Sequence, residues 1–307
     1  MKTEPVRVGL VGAGPWARDM HAPVLAAGPE TVLAGVWARR ASAACELAAA
    51  YDVPVMASFD ELVGASEAVA FAVPPQVQGG LAVRAARAGR HLMLEKPLAS
   101  CVSEAREVAA ACQESGVVTQ LMLTKRFHPR TREFVTRSRA LLSGGDCEGV
   151  TASYVHGAFL DGPMATPWRL RDGVLLDLGP HLIDLVEAVT SPVEAVSVAG
   201  SLHGVLALTT RHRAGTVGQL TLSGRVRGPS RFEVHAFGEP GTESFDAREM
   251  DHSECFSIAR SEFASAVRRA TPVMADAAHG LWLQEVIDAV LDAATSGRTA
   301  AVSHRPL

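Results

Sequence analysis

The first thirty residues constrain the fold of this chain more than any other segment. An apolar run, Val6–Gly12, passes directly into Gly12-Ala-Gly14-Pro-Trp-Ala17 and then into an alanine-rich stretch that ends at Ala27. β-Branched residues bounded by glycines predict a strand, and a proline just after a turn is typical of a helix start. A strand that turns at once into a helix is the first half of a βαβ unit, which predicts a parallel sheet covered by helices.

The same alternation continues to about residue 123, where we place a domain boundary. The predicted strands are Val6–Gly12, Thr31–Trp37, Val53–Met56, Ala68–Val73, His91–Leu94 and Val117–Leu123. Residues 1–123 are therefore predicted to form an α/β domain with a doubly wound parallel sheet. In residues 124–307, strands follow one another through short glycine turns, which predicts an α+β domain with an open, mostly antiparallel sheet.

Composition narrows the class of protein. The chain has 307 residues, 48% hydrophobic and 20% charged, with a net charge of −4. Without a basic block, nucleic acid and anionic membranes are not expected as partners. No apolar stretch reaches the roughly 20 residues of a spanning helix, and the N-terminus leaves no room for a signal peptide. The cysteines at 45, 101, 112, 147 and 255 show no metal or disulfide spacing, so we expect reduced thiols, no metal and a cytoplasmic location.

The glycine turn has the pattern of a dinucleotide site, G-x-G-x-x-A. Gly12 permits the tight turn, Gly14 lets the backbone approach a pyrophosphate, and Ala17 allows the helix to pack closely on the strand. The N-terminus of the helix adds N–H donors for the phosphates. The predicted cofactor contacts in this loop are Gly12, Ala13, Gly14, Pro15 and Trp16.

The end of the second strand indicates which dinucleotide is bound. NAD sites usually place an acidic residue there for the ribose 2′-hydroxyl, but this strand ends Val36-Trp-Ala-Arg39-Arg40. Two guanidinium groups suit a 2′-phosphate, so the pattern favours NADP over NAD. The alternative is that Arg39 and Arg40 only begin a solvated helix.

Two later strand ends are expected at the same edge of the sheet, and their residues Val73, Pro74, Glu95, Lys96 and Pro97 are further predicted cofactor contacts. Val73-Pro74 ends one strand, although a purely structural turn explains the prolines equally well. Glu95-Lys96-Pro97 ends the next, where doubly wound sheets bind ligands. A cation beside a buried strand is costly unless it is paired or takes part in chemistry, so Lys96 is a candidate catalytic residue.

A third pattern lies in the second half of the chain. Asp177, His181 and Asp184 are spaced by four and three, which places them on one face of a helix over Leu175–Val189. Pro180 lacks an N–H and predicts that this helix either kinks or starts late. Alone, such a spacing is more typical of a surface ion pair than of a catalytic pair.

Taken in order, these motifs resemble the Gfo/Idh/MocA family, which includes glucose–fructose oxidoreductase and inositol dehydrogenase. They are G-x-G-x-x-A, Val73-Pro-Pro, Glu95-Lys-Pro, Arg126-Phe-x-Pro129 and Asp177-x-Gly-x-His181-x-x-Asp184. The resemblance covers essentially the whole chain. It implies a Rossmann domain, a C-terminal sheet that often forms the subunit contact of a homodimer or homotetramer, and NAD(P)-dependent oxidation of a sugar or cyclic polyol hydroxyl, or the reverse reduction.

The resemblance also implies catalytic positions at Lys96, Asp177 and His181. Imidazole titrates near neutral pH, so His181 is expected to accept the hydroxyl proton while Asp177 orients or stabilises it. Lys96 is expected to stabilise the developing alkoxide charge. The family's glycine-rich stretch is reduced here to Arg171-Asp-Gly-Val, and its polar residue after the Pro-Pro turn is represented only by Gln78. Further candidate substrate contacts are Trp168, Arg169 and Gln78.

Other interpretations of the same residues stay open at this point. Lys96 and Asp177 could form only a structural ion pair, Trp168 could be packing, and Arg126 could brace the domain junction or contact substrate. The chain could also reduce a linear carbonyl, an imine or a tetrapyrrole, or be a non-catalytic NADP-binding sensor.

Overall fold

The computed structural model describes residues 4–143, 148–248 and 250–303; Cys147, one of the expected thiols, lies outside them. The chain forms two compact units. The first contains residues 4–124 together with Asp251–Leu281, and the second contains Lys125–Met250 and residues 282–303.

The first unit is built on a five-stranded parallel sheet in the order β2-β1-β3-β4-β5. Its strands are β1 (Val6–Val11), β2 (Thr31–Trp37), β3 (Ala68–Phe71), β4 (His91–Leu94) and β5 (Thr119–Leu121). The predicted α/β architecture is therefore confirmed. The predicted strand Val53–Met56 is wrong: Val55 makes only an isolated bridge to Val36. Pro54 has no N–H to donate, so a longer ladder does not form there.

The helices of the first unit alternate with its strands along the chain. They are α1 (Ala22–Ala27), α2 (Ala41–Ala49), α3 (Phe59–Ala65), α4 (Pro75–Arg87) and α5 (Val102–Ser115). One difference lies next to the glycine turn. Instead of a single α-helix over Pro15–Ala27, residues Ala17–His21 form a π turn that leads into α1.

The second unit contains a seven-stranded sheet in the order β11-β10-β6-β9-β8-β7-β12. Its strands are β6 (Gly149–Val155), β7 (Val193–Gly200), β8 (Val205–His212), β9 (Val217–Ser223), β10 (Arg231–Gly238), β11 (Gly241–Asp246) and β12 (Ala300–Ala301). Every pair is antiparallel except β6 with β9, which confirms the prediction of an open, mostly antiparallel sheet.

One face of this sheet carries helices and the other is exposed. The helices of this part of the chain are α6 (Pro129–Leu141), α7 (Pro167–Asp172) and α8 (Val174–Val189). Residues of β8 alternate strictly, with Leu206 and Leu208 buried and Val205 exposed. Because α8 packs on β6, β8 and β9, the buried side of this alternation is the helix side.

Two helices close the chain, α9 (His252–Arg269) and α10 (Ala277–Ser296). The sequence assigned α9 to the second domain, whereas in the structure it packs with the first unit. Arg268 binds both carboxylate oxygens of Glu67, at 2.7 and 2.9 Å, and this guanidinium lowers the pKa of Glu67. Arg260 pairs with Glu30. Such contacts over more than 200 residues of chain leave no local pattern in the sequence.

Among the described residues, no helix combines the length and the apolar character that crossing a lipid bilayer requires.

Candidate active site

The glycine turn has the shape that a dinucleotide pyrophosphate needs. Gly12 has φ +114°, and a Cβ atom there would stand 2.4 Å from the carbonyl oxygen of Ala72. Only glycine fits this position. A Cβ atom on Gly14 would meet nothing within 4 Å, so open space lies beside this backbone. The residues present therefore fit the phosphates of a nicotinamide dinucleotide.

Several of the other predicted cofactor residues lie around this turn. The nearest side-chain atom to a Cβ on Gly12 is Val73 Cγ1, at 3.1 Å, and Pro74 then caps the N-terminus of α4. The Gly12 N–H donates to the carbonyl of Trp37 at 2.8 Å, which places the end of β2 beside the turn. Arg39 and Arg40 follow that strand end and are exposed.

The carboxylate of Glu95 is buried, with 7% of the residue exposed, and it accepts three hydrogen bonds. Trp16 Nε1 donates to Oε1 at 2.7 Å, and His21 Nε2 lies 2.9 Å from the same oxygen. The backbone N–H of Lys96 donates to Oε2 at 3.2 Å. Since Trp16 belongs to the glycine turn, the structure connects this turn with the residue that precedes Lys96.

Gln78 holds the same loop from the other side. Its side-chain amide donates to the carbonyls of Glu95 (2.6 Å), Pro97 (3.2 Å) and Leu98 (3.0 Å), and its oxygen accepts from the N–H of Glu95 (2.9 Å). The residue is fully buried. Because the amide is occupied by backbone groups, the expectation that Gln78 contacts substrate is not retained; it clamps the loop that carries Lys96.

In the second unit, Asp177 forms a buried ion pair with Arg169, whose Nε lies 2.9 Å from Oδ2. The guanidinium also stacks over the ring of Trp168, at 4.7 Å from its centroid. The structure thus brings together three residues that the sequence analysis proposed separately, one as catalytic and two as substrate contacts. A charge pair with this little exposure holds both side chains in fixed positions.

The helix that carries Asp177 and His181 is continuous. It begins at Val174 and runs through Pro180 to Val189, so the alternative of a late start is wrong. Asp184, one turn after His181, accepts from Arg126 Nη1 at 2.9 Å, and the same nitrogen reaches the Asp184 carbonyl at 3.0 Å. Arg126 therefore braces α8 within the second unit.

Sequence reasoning missed Tyr154, which packs beside His181, and Lys125, whose ammonium lies over the Tyr154 ring. Tyr154, on β6, packs edge-on against the His181 ring with the centroids 6.2 Å apart. Burial, and secondarily the charge of Asp177, raise the pKa of this phenol, so it stays protonated across the physiological range. Lys125 places Nζ 5.6 Å from the centroid of the Tyr154 ring. No spacing in the sequence links strand β6 to helix α8, since the contact exists only once they pack.

Two family models match this chain. An oxidoreductase family with an NAD-binding Rossmann fold matches residues 6–123, and the Gfo/Idh/MocA C-terminal domain matches residues 140–242. The chain belongs to the Gfo/Idh/MocA family. This member is accordingly an NAD(P)-dependent oxidoreductase that transfers hydride.

Relatives with named activities support the assignment along the chain. A 1,5-anhydro-D-fructose reductase from Ensifer adhaerens is 27% identical over 96% of this chain and 98% of its own. A scyllo-inositol 2-dehydrogenase (NADP(+)) from Bacillus subtilis (strain 168) is 25% identical over 63% of this chain and 56% of its own.

Solved structures share the fold of this Gfo/Idh/MocA member. GenD2 from gentamicin A biosynthesis, in complex with NAD, superposes with a TM-score of 0.89 at 22% identity, covering 99% of this chain and 98% of that one. Levoglucosan dehydrogenase, in complex with NADH and L-sorbose, gives 0.89 at 17% identity, with 99% and 100% covered. At these identities the likeness establishes the fold alone.

The clamp made by Gln78 yields a stability prediction. We expect Gln78→Leu to lower the free energy of unfolding by about 3 kcal/mol, because it leaves buried backbone groups of the Glu95–Leu98 loop without partners. Chemical denaturation measures this. The matched control is Gln113→Leu, at an exposed position on α5, which should change stability by less than about 0.5 kcal/mol. Equal effects of the two substitutions would contradict the clamp.

Proposed function

We propose that this enzyme oxidises a secondary hydroxyl of a sugar or cyclic polyol, or reduces the matching ketone. The proposal is supported by the activities named for the relatives, a reductase of an anhydro-ketose and an inositol dehydrogenase. The observation that carries it is the loop Glu95-Lys96-Pro97, which is held by a buried carboxylate and by four hydrogen bonds of Gln78. So much buried polar structure around one half-buried lysine is expected where the position of that lysine matters for chemistry.

Lys96, Asp177 and His181 are the proposed catalytic residues. When bound, the nicotinamide supplies the hydride acceptor or donor at its C4 atom. In oxidation, His181 accepts the hydroxyl proton, because an imidazole can take up and return protons near neutral pH. The ammonium group of Lys96 donates a hydrogen bond to the substrate oxygen and stabilises the negative charge that develops there.

Asp177 has a positioning part in this scheme. Its carboxylate stabilises the imidazolium of His181 after proton uptake, as an acid next to a histidine base does in other enzymes. Arg169 binds that carboxylate at 2.9 Å, which fixes its orientation. In this proposal Arg169 therefore acts through Asp177, and the stacked ring of Trp168 is left as the candidate sugar contact.

The lysine has a direct test. We expect Lys96→Met to lower kcat by about 10²-fold or more, because removal of a charge-stabilising donor raises the transition-state energy. The measurement is the change in nicotinamide absorbance during a screen of sugars, polyols and keto-sugars with both cofactors. Reduced-cofactor binding, followed by fluorescence, should persist in the variant.

His181→Asn should lower kcat similarly, with His203→Asn as the matched control, since His203 is exposed in the same unit. A protein that binds the reduced cofactor tightly, turns over no member of the panel and is indifferent to Lys96→Met would contradict the proposed reaction and favour a sensor.

We propose NADP as the preferred dinucleotide. Support comes from Arg39 and Arg40, which are exposed directly after β2, and from the NADP(+) named for one relative. Arginine pairs with a phosphate through two parallel charge-assisted bonds, whereas a ribose hydroxyl gains little from it.

The double variant Arg39→Ala/Arg40→Ala should raise the KM for NADP by about 10-fold or more while the KM for NAD changes much less, because only the 2′-phosphate loses charge-assisted bonds. Steady-state kinetics with both cofactors measures the two values. Arg87→Ala, an exposed arginine on α4, is the control. Equal increases for both cofactors, or none for NADP, would assign the arginines to the solvated helix start.

We also propose that the exposed face of the seven-stranded sheet joins subunits into a homodimer or homotetramer. Val217 and Phe237 are 47% and 40% exposed, and they lie on either side of Gly149 across three neighbouring strands. The ring of Phe237 covers Gly149, where a Cβ would stand 2.4 Å away. Contiguous exposed apolar side chains on an open sheet mark a contact surface.

Val217→Asp should shift the protein toward the monomer, because association would then bury an unpaired carboxylate. Light scattering during size-exclusion chromatography measures the mass. Val32→Asp is the control, since Val32 is 44% exposed on a strand of the first unit. An unchanged mass for Val217→Asp would exclude this face as the contact.

A further inference from the structure

Trp16, His21 and Glu95 form a hydrogen-bonded group that the reaction scheme above does not use. Trp16, in the glycine turn, and His21, in the π turn that follows, donate to one oxygen of a carboxylate from the end of β4, at 2.7 and 2.9 Å. We refer to these three residues as the bracket. The other oxygen of the carboxylate accepts from the backbone of Lys96, so the bracket ends at the proposed catalytic lysine.

The π turn explains why both donors reach the same oxygen. In an α-helix, residues five positions apart are rotated by about 140° from each other and face different directions. Here the N–H of Ala22 bonds to the carbonyl of Ala17, five residues earlier, which adds one residue to the turn. Trp16 and His21, also five apart, therefore come to nearly the same side. Pro23, which has no N–H, favours a departure from α geometry here, but it does not account for the shared target.

Packing holds the bracket in one arrangement. The ring of Phe256 lies edge-on to Trp16, with centroids 5.8 Å apart, and to His21, at 5.1 Å. His21 is fully buried, and its Nδ1 has no hydrogen-bond partner among the described residues. This leaves Nε2 as the nitrogen that carries the proton and donates to Glu95, because a proton on Nδ1 would be buried without an acceptor.

The buried carboxylate makes this arrangement strongly coupled. A carboxylate with so little exposure depends on its donors, and the loss of one leaves the charge poorly compensated. A displacement of Trp16 therefore has to move Glu95, and with it the backbone N–H of Lys96. Trp16 directly follows Gly12–Pro15, the segment that fits the pyrophosphate.

We infer that Trp16 and His21 are positioning residues that, through Glu95, couple occupation of the pyrophosphate site to the placement of Lys96. The inference rests on the proposed function, in which Lys96 stabilises the substrate oxygen once the bound dinucleotide has placed it correctly. Because of this coupling, Lys96 reaches its catalytic position only when the dinucleotide is bound.

The experiment measures the chemical reactivity of the Lys96 amine and needs no enzymatic turnover. The chain contains only three lysines, at 2, 96 and 125, so mass spectrometry can measure the acetylation rate of Lys96 by acetic anhydride separately from the others. The probe is ADP-ribose, or its 2′-phosphate if the enzyme uses NADP, because it carries the pyrophosphate but lacks the nicotinamide that would cover the lysine. Calorimetry confirms that each variant binds the probe.

In the unmodified protein we expect the probe to slow acetylation of Lys96 by at least about fivefold, the lower end of typical coupling between sites. In Trp16→Phe, which keeps an aromatic ring but lacks the indole N–H, the effect should fall below about twofold. His21→Leu should behave in the same way. His21→Gln, whose amide can place a donor near the position of Nε2, should restore the effect.

The matched control is Trp282→Phe. Trp282 Nε1 donates to the carboxylate of Glu187 at 2.8 Å, so this substitution removes the same type of bond from a part of the chain without Lys96. It should leave the effect of the probe unchanged. At saturating cofactor, Trp16→Phe should lower kcat by about tenfold while the KM for substrate changes less, as expected for a misplaced catalytic group.

The outcomes separate the two proposals. If Trp16→Phe and His21→Leu retain the coupling of the unmodified protein, or if the probe has no effect on Lys96 in that protein, the bracket is overturned. If the coupling is found but Lys96→Met turns over substrate normally, the bracket stands and the catalytic role of Lys96 is wrong. The acetylation rates require no activity, so neither result depends on the other.

Discussion

The burial of one carboxylate, that of Glu95, governs the arrangement of the first unit around the glycine turn. A buried charge requires donors, and here they come from an indole, an imidazole and the next backbone N–H. The indole comes from the glycine turn, the imidazole from the π turn, and the N–H from the loop after β4. The hydrogen bonds to this carboxylate therefore fix the π turn, the end of β4 and the loop that follows. Gln78 then binds three backbone carbonyls and one backbone N–H of that loop.

In the second unit, two buried carboxylates on α8 are likewise held by donors from other segments. Arg169 holds Asp177 near the start of the helix, and Arg126 holds Asp184 one turn after His181. Buried ion pairs contribute little net stability compared with apolar packing, but they are costly to rearrange. A histidine between two such pairs, with Tyr154 packed against its ring, is held in a defined direction. That suits a residue proposed to accept a proton from a substrate.

The elements that the sequence could predict are those whose cause is local. Parallel strands read as apolar runs because both of their faces are buried, as in β3, where all four residues are buried. Strand β11 (Gly241–Asp246) depends on a non-local cause, because β10 supplies its hydrogen-bond partners. Helix α9 was assigned to the wrong unit for a similar reason, as Arg268 and Glu67 lie 201 positions apart.

For the site, the sequence by itself determined the glycine turn, the Glu95-Lys96-Pro97 loop and the helix of Asp177 and His181. In each of these the spacing within a few residues sets the backbone shape or the helix face. Only the tertiary structure decided that Gln78 clamps a loop, that Arg169 pairs with Asp177, and that His21 and Trp16 share an oxygen of Glu95. Hydrogen bonds and ion pairs depend on distances of about 3 Å between atoms, and such distances between remote segments are set by packing.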